Sequence, residues 1–115
     1  MATLTPQVIT RAGVTPSYAA CTGGGDAAAC GPDTFVHVKN GSGGSLTVTL
    51  AIPAGVSSFA NVAYTSTAVA IGAGTERMIG PLLPQLYQDP VTGLCTITYS
   101  GVTSLTIGLF IIQEP

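Results

Sequence analysis

Hydrophobic and polar residues alternate along most of this chain with a period of two. Leu46, Val48, Leu50 and Ile52 share one phase and Thr47, Thr49 and Ala51 the other, which predicts a half-buried strand. Thr34 to Lys39 reads the same way, with Val36 and Val38 on one face and Phe35, His37 and Lys39 on the other. Asn40-Gly-Ser-Gly-Gly44 separates these two runs, so they are expected to pair as a hairpin. Val62 to Ile71 predicts a long Thr/Ala/Val strand, and Gly72-Ala-Gly74 a turn into a further strand at Glu76 to Ile79. Leu94 to Tyr99 and Ser104 to Ile112 predict two more, joined by Ser100-Gly-Val-Thr103 and preceded by an Asp89–Gly93 turn. Two prolines between Gly80 and Gln88 forbid a long helix there. A single helical turn is expected, with Leu83, Leu86 or Tyr87 packed inward.

Six to eight short strands without a helical segment predict an all-β fold, a single antiparallel β-sandwich or barrel spanning residues 1–115. Jelly-roll and immunoglobulin-like strand orders both remain open. Residues 1–11 are expected to form an N-terminal arm or edge strand, and residues 12–33, rich in Ala, Gly and Pro, a long loop.

Composition changes this picture in one respect. Only 7% of the residues are charged, against about 25% in an ordinary soluble domain, and the mean hydropathy is +0.53. The hydropathy excludes a disordered chain. Three cations cannot neutralise a run of phosphates, so nucleic acid is excluded as a partner. A surface this poor in charge suits contact with another protein, because large interfaces lose charge at their centres. Leu105 to Ile112 is the densest apolar run, too short and too broken for a membrane span, and the N-terminal residues do not read as a secretory signal. The chain is expected to be made in a cytoplasm.

Candidate chemistry is sparse. His37 has no acid or thiol beside it in sequence and is expected to be a solvated strand residue. No Gly-x-Ser-x-Gly elbow is present, and Gly72-Ala-Gly74 has Arg77 at the third glycine position of a dinucleotide pattern. No enzyme, metal site or cofactor is expected. Cys21 and Cys30 flank Thr22 to Ala29 and are spaced to close a small disulfide loop, while Cys95 reads as a core residue. Five residues are candidates for an interface. Arg77 stands beside Glu76 in a neutral landscape, and Leu83 and Tyr87 lie in the proline-bracketed turn. Phe110 and Ile112 make the last strand apolar on its second face, which calls for a second cover, from a loop or from a neighbouring subunit.

Four segments carry a resemblance. They are Asp33-Thr-Phe-Val-His-Val-Lys-Asn-Gly41, Gly74-Thr-Glu-Arg-Met-Ile-Gly-Pro81, Leu86-Tyr-Gln-Asp-Pro-Val-Thr-Gly93 and Thr98-Tyr-Ser-Gly-Val-Thr-Ser-Leu-Thr106. In this order they resemble small capsid decoration and minor capsid proteins of tailed bacteriophages, mostly those infecting actinobacteria. Cys21, Cys30 and the Gly23–Gly25 loop fall outside the resemblance. It implies a β-rich homo-oligomer, such as a trimer, that binds the major capsid protein on the outside of an icosahedral head and stabilises it. A neck or tail component, or a displayed module that binds the host, are the alternatives.

Overall fold

The computed structural model describes residues 2–52, 58–59, 62–63 and 67–112. Among the described residues, twelve strands and one helical turn follow one another. The strands are β1 (Ala2–Thr3), β2 (Pro6–Ile9), β3 (Ala19–Ala20), β4 (Asp26–Ala29), β5 (Thr34–Asn40) and β6 (Leu46–Leu50), then β7 (Ser58–Phe59), β8 (Val62–Ala63), β9 (Thr67–Ile71) and β10 (Glu76–Ile79). The helical turn α1 (Pro84–Tyr87) precedes β11 (Leu94–Tyr99) and β12 (Leu105–Ile112). Two five-stranded sheets form a sandwich. One has the order β1-β4-β11-β6-β9; the other runs β10-β5-β12-β2, with β3 also on β12, and β7-β8 is a separate ribbon. Both sheets have open edges, so the fold is a sandwich and not a closed barrel. The sheets are mixed, because β1 runs parallel to β4 and β2 parallel to β12.

The period-two pattern places the core. Val36, Val38, Leu105, Ile107 and Leu109 of the second sheet meet Val48, Leu50, Ile71, Cys95 and Ile97 of the first, and each is at most 2% exposed. Full burial of each such side chain stabilises by about 1.5–3 kcal/mol. Leu82, just before α1, is wholly buried as well.

Two expectations are corrected. β5 and β6 do not form a hairpin: β5 pairs with β10 and β12, whereas β6 pairs with β9 and β11. The Asn40–Gly44 segment is a corner between the sheets. Asn40, 2% exposed, donates from Nδ2 to the carbonyls of Gly44 and Ile71, and its Oδ1 accepts from the amide and hydroxyl of Ser42. Residues 12–33 are not one loop, since they contain β3 and the interior strand β4. The burial of Asp26, Ala27 and Ala28 is what Ala-rich patterning concealed. The expected Val62–Ile71 strand is seen as β8 and β9, and residues 64–66 lie outside the described ones. The first residues are edge strands on their own sandwich, with Leu4 buried and its amide donating to the Ala27 carbonyl at 2.8 Å.

Candidate functional site

The outer face of the second sheet carries the densest side-chain chemistry of the described residues. Alternation along β5 sends Phe35, His37 and Lys39 to this face. The antiparallel register sets Met78 opposite His37, Glu76 opposite Lys39, and Phe110 of β12 opposite Phe35. A strap from Thr10 to Tyr18 joins β2 to β3 across this face. Gln7 pins it: its Nε2 donates to the Ser17 carbonyl and its Oε1 accepts from the Ser17 amide, both at 2.8 Å. The side-chain amide thereby imitates a rung of sheet pairing. Gly108 allows the close approach, because a Cβ there would lie 2.9 Å from the Phe110 ring and 3.0 Å from the Ser17 carbonyl oxygen.

Tyr18, at the end of the strap, organises the face. Its ring meets His37 edge-on at 5.4 Å and Phe110 at 5.9 Å, and the Lys39 Nζ sits 4.0 Å from its centroid. Phe35 stacks on Phe110 at 5.6 Å. The Tyr18 hydroxyl lies 2.7 Å from His37 Nδ1, and His37 Nε2 lies 3.2 Å from Glu76 Oε1. A neutral imidazole satisfies both contacts when Nε2–H donates to the carboxylate and Nδ1 accepts from the phenol. His37 is therefore not the solvated residue expected. It is 8% exposed and held between a phenol and an acid that are 19 and 39 positions from it in the chain.

Beside this relay the face opens into an apolar groove. One depression, of about 310 Å³, is walled by Ile9, Val14, Pro16 and Tyr18. A second, of about 460 Å³, runs on past Pro32, Gly80, Pro81 and Ile112. Phe35 and Met78 line both. Met78 is 70% exposed and Ile112 53%, unusual for such side chains. Charge collects around this groove. Asp33 lines it, Lys39 and Glu76 share its face of the sheet, and Arg11 lies in the strap, whereas Arg77, opposite the buried Val38, is exposed on the other face of β10.

The interface candidates separate accordingly. Arg77 and Ile112 are exposed, and Leu83 is half-buried. Tyr87 is turned inward, 7% exposed, with its hydroxyl 2.6 Å from Thr67 Oγ1, and Phe110 is covered by Tyr18 and Phe35 of the same chain. These two are packing residues; the second cover of β12 is the strap. Sequence reading missed Met78, Phe35 and Tyr18. The first two were legible as the outward phase of predicted strands, whereas Tyr18 sits in a stretch with no periodicity.

The Cys21–Cys30 disulfide that the spacing permits is not formed, and all three cysteines are free thiols. Cys21 packs beside Tyr99 and Asp26, whereas Cys30 neighbours Cys95 on the inner face of the first sheet. Burial pushes the Cys21 thiol up to about 11 and that of Cys95 up to about 12, and raises Cys30 as well. Thiolate is the reactive form, so iodoacetamide at pH 8 should label the native chain slowly and add three groups after denaturation. Three labels taken up quickly by the native chain, or a two-proton mass deficit without reductant, would contradict this arrangement.

Among the described residues no group of three or more His, Cys, Asp or Glu is placed to hold a metal ion. The fold and the face define a class: an all-β sandwich carrying an apolar groove with a charged rim. No protein-family model matches the chain, and neither a curated protein nor a solved structure does.

Proposed function

We propose that this chain is a non-enzymatic structural protein of a bacteriophage virion. In this reading it is a decoration or cement protein that docks on the major capsid protein at the outside of the head. The observation that carries the reading is the groove around Met78 and Phe35, an exposed apolar surface rimmed by charge on a chain otherwise almost without it. Apolar centres inside polar rims are how protein interfaces are built. The four segments that resemble phage decoration proteins support the same reading, and two of them, Asp33–Gly41 and Gly74–Pro81, supply β5 and β10 beneath the groove.

The mechanism is mass action. A ligand that binds only the assembled shell stabilises that shell by the free energy of its own binding. Self-association, for instance as a trimer, adds avidity to contacts that are individually modest. Quantitative mass spectrometry of purified particles tests the proposal through copy number. Hundreds of copies per particle are expected. About six to a dozen would move the protein to the neck or tail, and absence from purified particles would remove the virion role.

A further inference from the structure

Two of the three thiols meet inside the sandwich, and they are not the two that lie nearest in sequence. Cys21 packs beside Asp26, at one end of β4, and its amide donates to the Leu105 carbonyl of the opposite sheet at 3.0 Å. Cys30 follows Ala29 at the other end. The four extended residues of β4 hold those ends about 10 Å apart, which keeps this pair from bonding. Cys30 instead continues the phase of Ala28, whose partner on β11 is Cys95. Alternate residues of a strand share a face, so Cys30 lies diagonal to Cys95 on the inner side of the first sheet. The Cys30 side chain hydrogen-bonds with that of Cys95. Cys95 is wholly buried, whereas Cys30 is half-buried at the margin of the core.

The contact falls where the sheet gains most from a fastening. β4 has no β-branched residue and is held by its neighbours. Just past Cys30, the Gly31 amide donates to the Leu82 carbonyl at 2.8 Å, which fixes the chain beside α1. A bond from Cys30 to Cys95 would secure this end of β4 to β11.

We infer that Cys30 and Cys95 form a disulfide that fastens β4 to β11 when the chain meets a small-molecule disulfide such as oxidised glutathione, with Cys21 left free. Cys30, the more accessible sulfur, reacts first as its thiolate. A bond forms from Cys30 Sγ to one sulfur of the oxidant, whose S–S bond breaks and releases one thiolate. Cys95 then yields its proton to solvent and attacks Cys30 Sγ, and the second small thiolate leaves. The chain loses two hydrogens, and the oxidant is reduced to two thiols. Burial raises both protein thiols, Cys95 to about 12, so exchange is slow at neutral pH and quickens as the pH rises. Without such an oxidant the three thiols stay free. The site does not depend on the virion role, and the presence or absence of the protein in particles bears on that role alone.

The full chain, first reduced and then placed in excess oxidised glutathione at pH 8, should lose two hydrogens within hours. After denaturation iodoacetamide should add one group in place of three. Peptide mapping should find that group on Cys21 and a link between Cys30 and Cys95. The bond closes the long loop of residues 30–95, so the urea midpoint should rise by about 1 M and fall back on addition of dithiothreitol. Cys21→Ala should keep the two-hydrogen loss and Cys30→Ser should abolish it. The map of the parent chain decides the pairing where a variant fails to fold. Three thiols that persist, a glutathione adduct that never resolves, or a link through Cys21 would overturn the inference. So would an oxidised chain with an unchanged or lowered midpoint, because the bond would then strain the sheet and not fasten it.

Discussion

Replacing Asn40 by alanine is expected to destabilise the protein by about 3 kcal/mol, a large share of the total stability of a domain this size. The Asn40 side chain closes the corner where the chain leaves one sheet for the other. Its Nδ2 donates to the Ile71 carbonyl at 2.9 Å, at the end of β9, and to the Gly44 carbonyl at 2.9 Å, at the entrance to β6. Its Oδ1 accepts from the Ser42 amide at 2.9 Å and from the Ser42 hydroxyl at 2.6 Å. One amide therefore ties together the ends of β5, β6 and β9. Alanine would take the Nδ2 donor from the Ile71 carbonyl at the buried end of this network and release Ser42 and Gly44 from the corner, and an orphaned buried polar group costs about 1–3 kcal/mol. Asn40→Asp should be nearly as damaging, because a carboxylate has no donor for the two carbonyls. Urea unfolding should show a lower midpoint with an unchanged slope. A midpoint within error of the parent's would mean that the backbone alone holds the corner.

That corner also shows where sequence reading stops. The strands whose inward phase is pure aliphatic were legible: Val36 and Val38, Leu46 to Leu50, and Leu105 to Leu109 all lie where a period of two puts them. Their pairing was not, because Asn-Gly between two strands signals a tight turn equally well for a hairpin and for a crossing between sheets. What decides between them is the distant Ile71 carbonyl, which no local pattern reveals. β4 was missed for a different reason. Asp26-Ala-Ala-Ala29 has neither alternation nor β-branched residues, and it is a strand because β1 and β11 pair with it on both sides. Tertiary pairing overrode weak local propensity there.

The candidate site divides along the same line. Phe35, Met78 and Ile112 belong to strands with a readable phase, so their outward placement follows from the sequence. The cover over Phe110 and the partners of His37 depend on Tyr18, brought in by an irregular strap whose anchor is one glutamine. A histidine without neighbours in sequence can still be fully engaged in space. The outer face is thereby split: one half is closed by the chain's own strap, and the other half, around Met78, is left open.

Acid should unfold this protein through Asp26. The Asp26 carboxylate is fully buried, and burial alone would raise its pKa. Hydrogen bonds from the Tyr99 hydroxyl at 2.6 Å, the Thr22 amide at 3.2 Å and the Ala2 amide at 3.3 Å oppose this, and the net shift is downward from 3.8. The same contact and its own burial push the Tyr99 phenol far upward, so it stays a donor throughout the accessible pH range. A folded pKa below the unfolded one means that the unfolded chain binds the proton more tightly. The stability from this group is therefore complete above about pH 4, the ordinary range of an aspartate, and disappears as the pH falls through the lower folded value. Asp26→Asn should keep the shape yet weaken the fold at neutral pH by about 2 kcal/mol, since a neutral amide accepts these bonds less strongly and brings donors of its own. Its stability should also be flatter between pH 5 and pH 2 than the parent's. Urea midpoints measured across that range check both effects, and an acid limb equally steep in the variant would assign the transition to another carboxylate, such as Asp33 or Asp89.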